Sequence, residues 1–186
     1  MISRRKSHIL NSDLSQAISN LVNKNVNCAK LVSEWEQVFA DFIGVKSAIA
    51  VSSGRSGLEL ILSSLKLSAG DEVIIPAYTL KGLIPIIQQL QLTPVPVDID
   101  LKSFNISISA LESTITKRTK VIVATHIFGM PCEIDKIMEI AKKNSLFVIE
   151  DCAHSAGAKY QGKKTGSFGN AAFFSFESMK PVNTYG

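Results

Sequence analysis

The sequence has little that would tie it to an oxidising compartment, a bilayer or a nucleic acid. Its three cysteines, Cys28, Cys132 and Cys152, are an odd number at wide spacing with no CxxC pair. That excludes a disulfide framework and points to reduced thiols. The longest apolar stretch, around Leu83 to Leu92, is broken by Pro85 and three glutamines, too short and too polar for a membrane span. Met1 to His8 is basic, yet the apolar run of a secretory signal does not follow it, so a cytoplasmic protein with no membrane partner is expected. No low-complexity tract and no Pro- or Gly-rich linker marks an internal boundary. The net charge of +4 is scattered in short groups such as Arg4-Arg5-Lys6, Lys117-Arg118 and Lys163-Lys164. Without a basic helix or an aromatic-basic ribbon, no nucleic-acid partner is expected, and small anionic substrates account for the sign equally well.

What is present is a full core: hydrophobic residues make up 46% and charged residues 19% of 186 residues, enough for one sizeable domain. Short β-rich runs alternate with helical patterns, which predicts an α/β fold with a mostly parallel sheet and helices on both faces. Strands are expected at Ser47–Val51, Val73–Ile75, Pro94–Val97, Val121–Thr125, Leu146–Glu150 and Ala171–Phe176. Helices are expected at Leu14–Val22, Ala29–Ile43, Ser56–Leu65, Leu80–Leu90, Ser109–Ile115 and Glu133–Lys143. In the second helix Leu31, Trp35, Val38, Phe39 and Phe42 share one face, and Gly44 suits its C-terminal cap. Polar and small residues gather just past the strand ends, at Ser52-Ser53-Gly54, Tyr78-Thr79, His126, Asp151 and Lys180. That edge of an open parallel sheet is where ligands bind.

Three stretches there could carry chemistry. Ser52-Ser53-Gly54-Arg55-Ser56-Gly57 joins a strand to a helix, where backbone N–H groups and the helix dipole suit a phosphate. It matches neither nucleotide-binding glycine motif, and alone it reads equally well as turn chemistry. Asp151, in Glu150-Asp151-Cys152-Ala153-His154, follows a buried strand, and a carboxylate there needs a compensating partner such as a protonated ring nitrogen. In isolation a capping aspartate is the plainer interpretation, and His154 alone is more often a structural histidine. Lys180 lies five residues after Ser175. Most lysines are solvated surface groups, but one held in a cofactor pocket can attack an aldehyde to form a Schiff base.

Taken in order, these stretches resemble the DegT/StrS family of pyridoxal-phosphate (PLP)-dependent nucleotide-sugar aminotransferases. The resemblance is carried further by Gly70–Leu80 (GDEVIIPAYTL), Pro94–Asp100 (PVPVDID), Ile115–Asp135 and Phe147–Phe176, and runs from about Val32 to Gly186. It implies a type I PLP-transferase large domain over residues 31–186, preceded by a helical segment over 1–30. Lys180 would hold the cofactor and move the proton at the substrate carbon. Asp151 would pair with the pyridine nitrogen, and His154 would flank the ring and its phenolic oxygen. Ser175 would bind the phosphate together with the Gly54, Arg55 and Ser56 turn. His126 matches a recurrent family histidine and is given no role. The implied reaction moves an amino group from an amino-acid donor to a keto-sugar nucleotide, in a homodimer, for cell-surface polysaccharide or secondary-metabolite sugars.

Two departures stand out. The phosphate turn of relatives reads Gly-Thr-Ala where this chain has Gly54-Arg55-Ser56, so the threonine hydroxyl is lost or replaced by that of Ser56. Many relatives stack an aromatic residue on the cofactor at the position of Leu80, so either Tyr78 substitutes or cofactor affinity is lower. No metal is expected: Asp98 and Asp100 have no His or Cys nearby and suit a strand end and a turn. The alternatives are a regulatory or inactive PLP-binding homologue and a PLP-dependent sugar dehydratase; dehydratase relatives carry histidine in place of the lysine, which Lys180 opposes. The family sheet has seven strands in the order 1-7-6-5-4-2-3. On that pattern the chain supplies strands one to six and stops before the seventh and the C-terminal small domain. These residues alone are then expected to be inactive, to bind PLP poorly, and to show a gap beside the first strand or a rearranged sheet.

Overall fold

The computed structural model describes residues 28–177 and 180, together with Ser12, Ser15 and Ser19. The helix expected over Leu14–Val22 lies outside the described residues except for Ser15 and Ser19, which are helical. The chain forms two compact units, one of Val51–Ser175 and one comprising the residues through Ala50 and those from Phe176 onward.

In the larger unit, helix α2 (Gly54–Ser64) leads to strand β1 (Glu72–Pro76), α3 (Leu83–Gln89), β2 (Thr93–Val97), α4 (Ile108–Thr114), β3 (Thr119–Thr125), α5 (Ile134–Asn144) and β4 (Phe147–Asp151). A hairpin, β5 (Lys159–Tyr160) and β6 (Lys163–Lys164), precedes the last strand, β7 (Ala171–Phe173). Five strands pair in the order β2-β1-β3-β4-β7, all parallel. Burial on both faces is what the continuous Val121–Ala124 and Phe147–Ile149 runs require. On one face Val73, Ile75, Val121, Val123, Ile149 and Phe173 meet Leu58 and Leu62 of α2 and Leu83, Ile86 and Ile87 of α3. On the other, Ile74, Ile122, Ala124 and Val148 meet Leu111 of α4 and Ile134, Ile137 and Ile140 of α5. Each such aliphatic side chain contributes about 1.5–3 kcal/mol by leaving water.

Three sequence expectations are corrected. Residues 47–51 form no strand: no described strand offers them a ladder, and a strand persists only as a paired one. The strand expected through Phe176 ends at Phe173, where its pairing with β4 stops at Asp151. The β5–β6 hairpin escaped notice because each strand has two residues; Gln161 and Gly162 turn it with φ of 48° and 84°.

The smaller unit is described by α1 (Cys28–Ile43), capped by Gly44 at φ 88° with its N–H on Ala40 O. Trp35 and Phe39, one turn apart, stack at 5.1 Å, and the ring of Phe176 stands edge-on to both at 5.2 Å. The Ala50 N–H donates to Glu36 Oε1 at 2.7 Å. The expected apolar face of this helix is only partly covered: Ala40 and Ile43 are buried, whereas Leu31, Phe42 and, at 67% exposure, Val38 are open.

Candidate active site

Strand alternation sorts the residues at the C-terminal edge of the larger sheet. Val121, Val123, Ile149 and Phe173 face α2 and α3, so Thr125 and Asp151 continue that face, and the parallel register sets Thr125, Asp151 and Phe173 side by side. Asp151 is buried, and its backbone is pinned on both flanks. Its carbonyl accepts from His126 N at 3.1 Å, and the next amide, Cys152 N, donates to Phe173 O at 2.9 Å. Its Oδ1 accepts the Ala153 N–H at 3.0 Å, so the capping contact exists.

The first turn of α2 closes on the same edge. Ser53 is its N-cap, accepting from Ser56 N at 3.1 Å, and the Ser56 hydroxyl lies 3.0 Å from those of Ser52 and Ser53. Ser56 thus presents a hydroxyl at the first turn of α2. The backbone at Gly54 passes so close to the chain before Ser175 that a Cβ there would stand 2.9 Å from Phe174 O. Gly54, Ser56, Ser175 and Asp151 are therefore brought to one edge, with the N-terminus of an eleven-residue helix among them. The Arg55 stem lies over Gly82, where a Cβ would meet Arg55 Cδ at 3.4 Å. His154 stacks nearly parallel to Phe128 at 6.1 Å, and Tyr78 lies 6.0 Å from Phe128. These rings flank a site where Leu80, 58% exposed, offers none. Lys180 lies in the smaller unit, where its backbone N–H donates to Glu177 O at 2.8 Å.

On the opposite face lies a buried arrangement that sequence reasoning missed. Glu150 Oε2 accepts from His126 Nε2 at 2.9 Å and from Gly166 N at 2.7 Å, while Oε1 accepts from Phe168 N and Gly169 N, each at 2.7 Å. Cys132 N donates to His126 Nδ1, so Nε2 is the ring nitrogen that carries the hydrogen. Burial works against the Glu150 charge, but His126 and the amides of Gly169 and Gly166 outweigh it and hold the carboxyl below its usual range. Cys152 completes a trio with ligand atoms within 4.8 Å of one another. Yet burial raises its thiol well above the ordinary value, and four N–H donors already occupy the Glu150 oxygens. The His126–Glu150 pair is a hydrogen-bonded latch between the segment after β3 and the loop before β7, and its ligand atoms are already engaged. The signal for it was available: neighbours in a strand face opposite ways, so Glu150 and Asp151 could not both line one site. Asp98 and Asp100 are turn residues, accepting from Ile99 N and from Lys102 N, Ser103 N and Ser103 Oγ.

Comparison with known proteins gives this geometry its context. A model of the DegT/DnrJ/EryC1/StrS aminotransferase family matches residues 9–186. The GDP-perosamine synthase of Caulobacter vibrioides is 43% identical over 155 residues, covering 83% of this chain and 42% of the relative. The solved aminotransferase from Psychrobacter cryohalolentis superposes with a TM-score of 0.91 at 34% identity, over 96% of this chain and 46% of that one. Spr1654 from Streptococcus pneumoniae, solved in its PLP form, superposes at 0.87 with 26% identity over 98% of this chain and 50% of that one. The chain thus spans less than half the length of the curated relatives it matches.

Proposed function

The chain belongs to the DegT/DnrJ/EryC1/StrS aminotransferase family, and on that premise we propose that the complete protein is a PLP-dependent aminotransferase acting on a keto-sugar nucleotide. The observation that carries this is the buried Asp151 carboxylate sharing one sheet edge with the serine-rich N-terminus of α2. An acceptor for a ring N–H and a cradle for a phosphate on one edge match the two polar ends of PLP. The close approach of Gly54 to Phe174 O, where a side chain would intrude, fits the cradle.

When bound, PLP supplies an electron sink for bond breaking at the carbon that bears the amino group. Asp151 keeps the ring nitrogen protonated, the condition under which that sink operates. Gly54, Arg55 and Ser56, with Ser175, hold the phosphate through helix N–H groups, hydroxyls and the guanidinium. His154, braced by Phe128, flanks the ring. Lys180 carries the cofactor through its amine and moves the proton at the substrate carbon. The proposed donor is an amino acid, and the acceptor a keto group on a nucleotide-linked sugar; relatives named GDP-perosamine synthases support a nucleotide-linked sugar. We place the protein in the cytoplasm as a homodimer; among the described residues no helix is long and apolar enough to cross a membrane.

The test is spectroscopic and chemical. The purified complete protein is expected to carry a visible cofactor band that bleaches on adding an amino donor. Borohydride reduction and peptide mapping are expected to place the pyridoxyl group on Lys180. A label on another lysine overturns the Lys180 role, and a stable band that no amino donor bleaches favours a regulatory homologue.

A further inference from the structure

Among the described residues two buried side-chain polar atoms have no hydrogen-bond partner, Thr125 Oγ1 and Thr79 Oγ1. Both stand at the same edge. Thr125 is the last residue of β3, and Thr79 follows the end of β1, the neighbouring strand. Thr125 is only 4% exposed, so its hydroxyl has lost water without gaining a protein partner. That condition is unfavourable, and valine would fill the same shape without it. A buried orphan in an otherwise satisfied interior calls for a missing partner.

We propose that Thr125 is a cofactor-binding residue whose hydroxyl donates to the phenolic oxygen of PLP. The inference rests on the PLP reading above and adds a contact to it. Strand order sets the flanks. Thr125 pairs with Asp151 from the β3 side, whereas Phe173, Ser175 and the first turn of α2 lie on the β7 side. In the PLP ring the phosphate arm lies to one side of the nitrogen and the phenolic oxygen to the other. With the nitrogen on Asp151 and the phosphate toward α2, the phenolic oxygen is carried toward β3. A small Thr125 hydroxyl on the Asp151 face is an unspent donor on that flank, additional to His154. It remains unsatisfied until the ligand arrives, so its cost in the free protein is recovered on binding.

Three variants of the complete protein are compared: wild type, Thr125→Val and Thr125→Ser, by PLP titration, by melting of the cofactor-free form, and by the pH at which the visible band of the bound cofactor changes. Thr125→Val is expected to weaken PLP binding about three- to tenfold, the worth of one net hydrogen bond. Its cofactor-free form should melt at or above the wild-type temperature, because an unpaired hydroxyl has been removed. The band transition should move to higher pH, since a donor to the phenolic oxygen stabilises its anion and loosens its hold on a shared proton. Thr125→Ser, which keeps the hydroxyl, should restore affinity and transition. Unchanged affinity in Thr125→Val, or a lowered melting temperature of its cofactor-free form, overturns the assignment and leaves a structural or water-satisfied hydroxyl. If wild type itself fails to bind PLP, the cofactor reading falls and the Thr125 contact with it.

Discussion

At the scale of single residues, two carboxylates adjacent in sequence are predicted to fail in opposite ways. Asp151→Ala should lower turnover of the complete protein about 100-fold or more, the usual loss when an electrostatic partner of the reaction is removed. Its stability should fall far less than its turnover; the contact with the Ala153 amide is worth about 1 kcal/mol. Turnover near wild type with cofactor bound would refute the ring-nitrogen role, and steady-state kinetics beside a melting curve reads both. Glu150→Gln should do the reverse in stability. An amide nitrogen would face N–H donors on every side, so unfolding in urea should show a loss of about 3 kcal/mol. What was legible was placement: the carboxylate at the end of a buried strand and the turn at Gly54 both stand at the C-terminal edge of the sheet, where the residues alone put them. Of the His126–Glu150 pair only the opposite facing of Glu150 was legible, because its partners include amides of Gly166, Phe168 and Gly169, which no side-chain pattern announces. Phe128, held at φ 54°, was not. A left-handed aromatic residue is a property of the folded backbone and leaves no trace in hydropathy.

At the scale of elements, periodicity located five strands and five helices to within a few residues, since burial on both sheet faces writes itself as continuous apolar runs. It failed where partnership decides the outcome. Ala48, Ile49, Ala50 and Val51 have the composition of a strand, yet composition supplies no neighbour, and in the described chain the Ala50 N–H is spent on Glu36. Val38 and Phe42 repeat at helical spacing and still lie open, because spacing predicts a face and not what covers it. On the proposed reading the first turn of α2 serves both structure and cofactor binding. Ser53→Ala removes the N-cap and should cost about 1 kcal/mol, measurable by chemical denaturation. Gly54→Ala forces a Cβ to 2.9 Å from a backbone oxygen, and neither side can yield by rotating a side chain. It should cost about 1–3 kcal/mol and also weaken PLP binding in a titration, by pushing the turn off Phe174. Loss of stability with unaltered cofactor affinity would separate that turn from the phosphate site.

At the scale of the whole molecule, both ends of the sheet are fastened by ionised glutamates. At the N-terminal edge Glu72 accepts from Thr116, Arg118 and Thr119, and the Thr116 hydroxyl leads the contacts that bring its carboxyl below the usual value. Glu150 is likewise lowered from the ordinary glutamate value of 4.5. A group whose folded value is depressed contributes stability above its unfolded value, and that contribution drains away as pH falls through the folded one. The melting temperature should therefore hold from neutrality to about pH 5 and fall progressively below about pH 4.5. Glu72→Gln should flatten that fall, and an equally steep acid limb in the variant would remove Glu72 from the account. The placement of Glu150 has a consequence for the ligand as well as for the fold. A sheet is one backbone thick, so the fixed negative charge on its α5 side makes a standing potential on the side where Asp151 waits. That potential works like the rear plate of a capacitor. On the proposed cofactor reading it would favour a protonated ring over a neutral one, and it would stay in place when Asp151 itself is replaced.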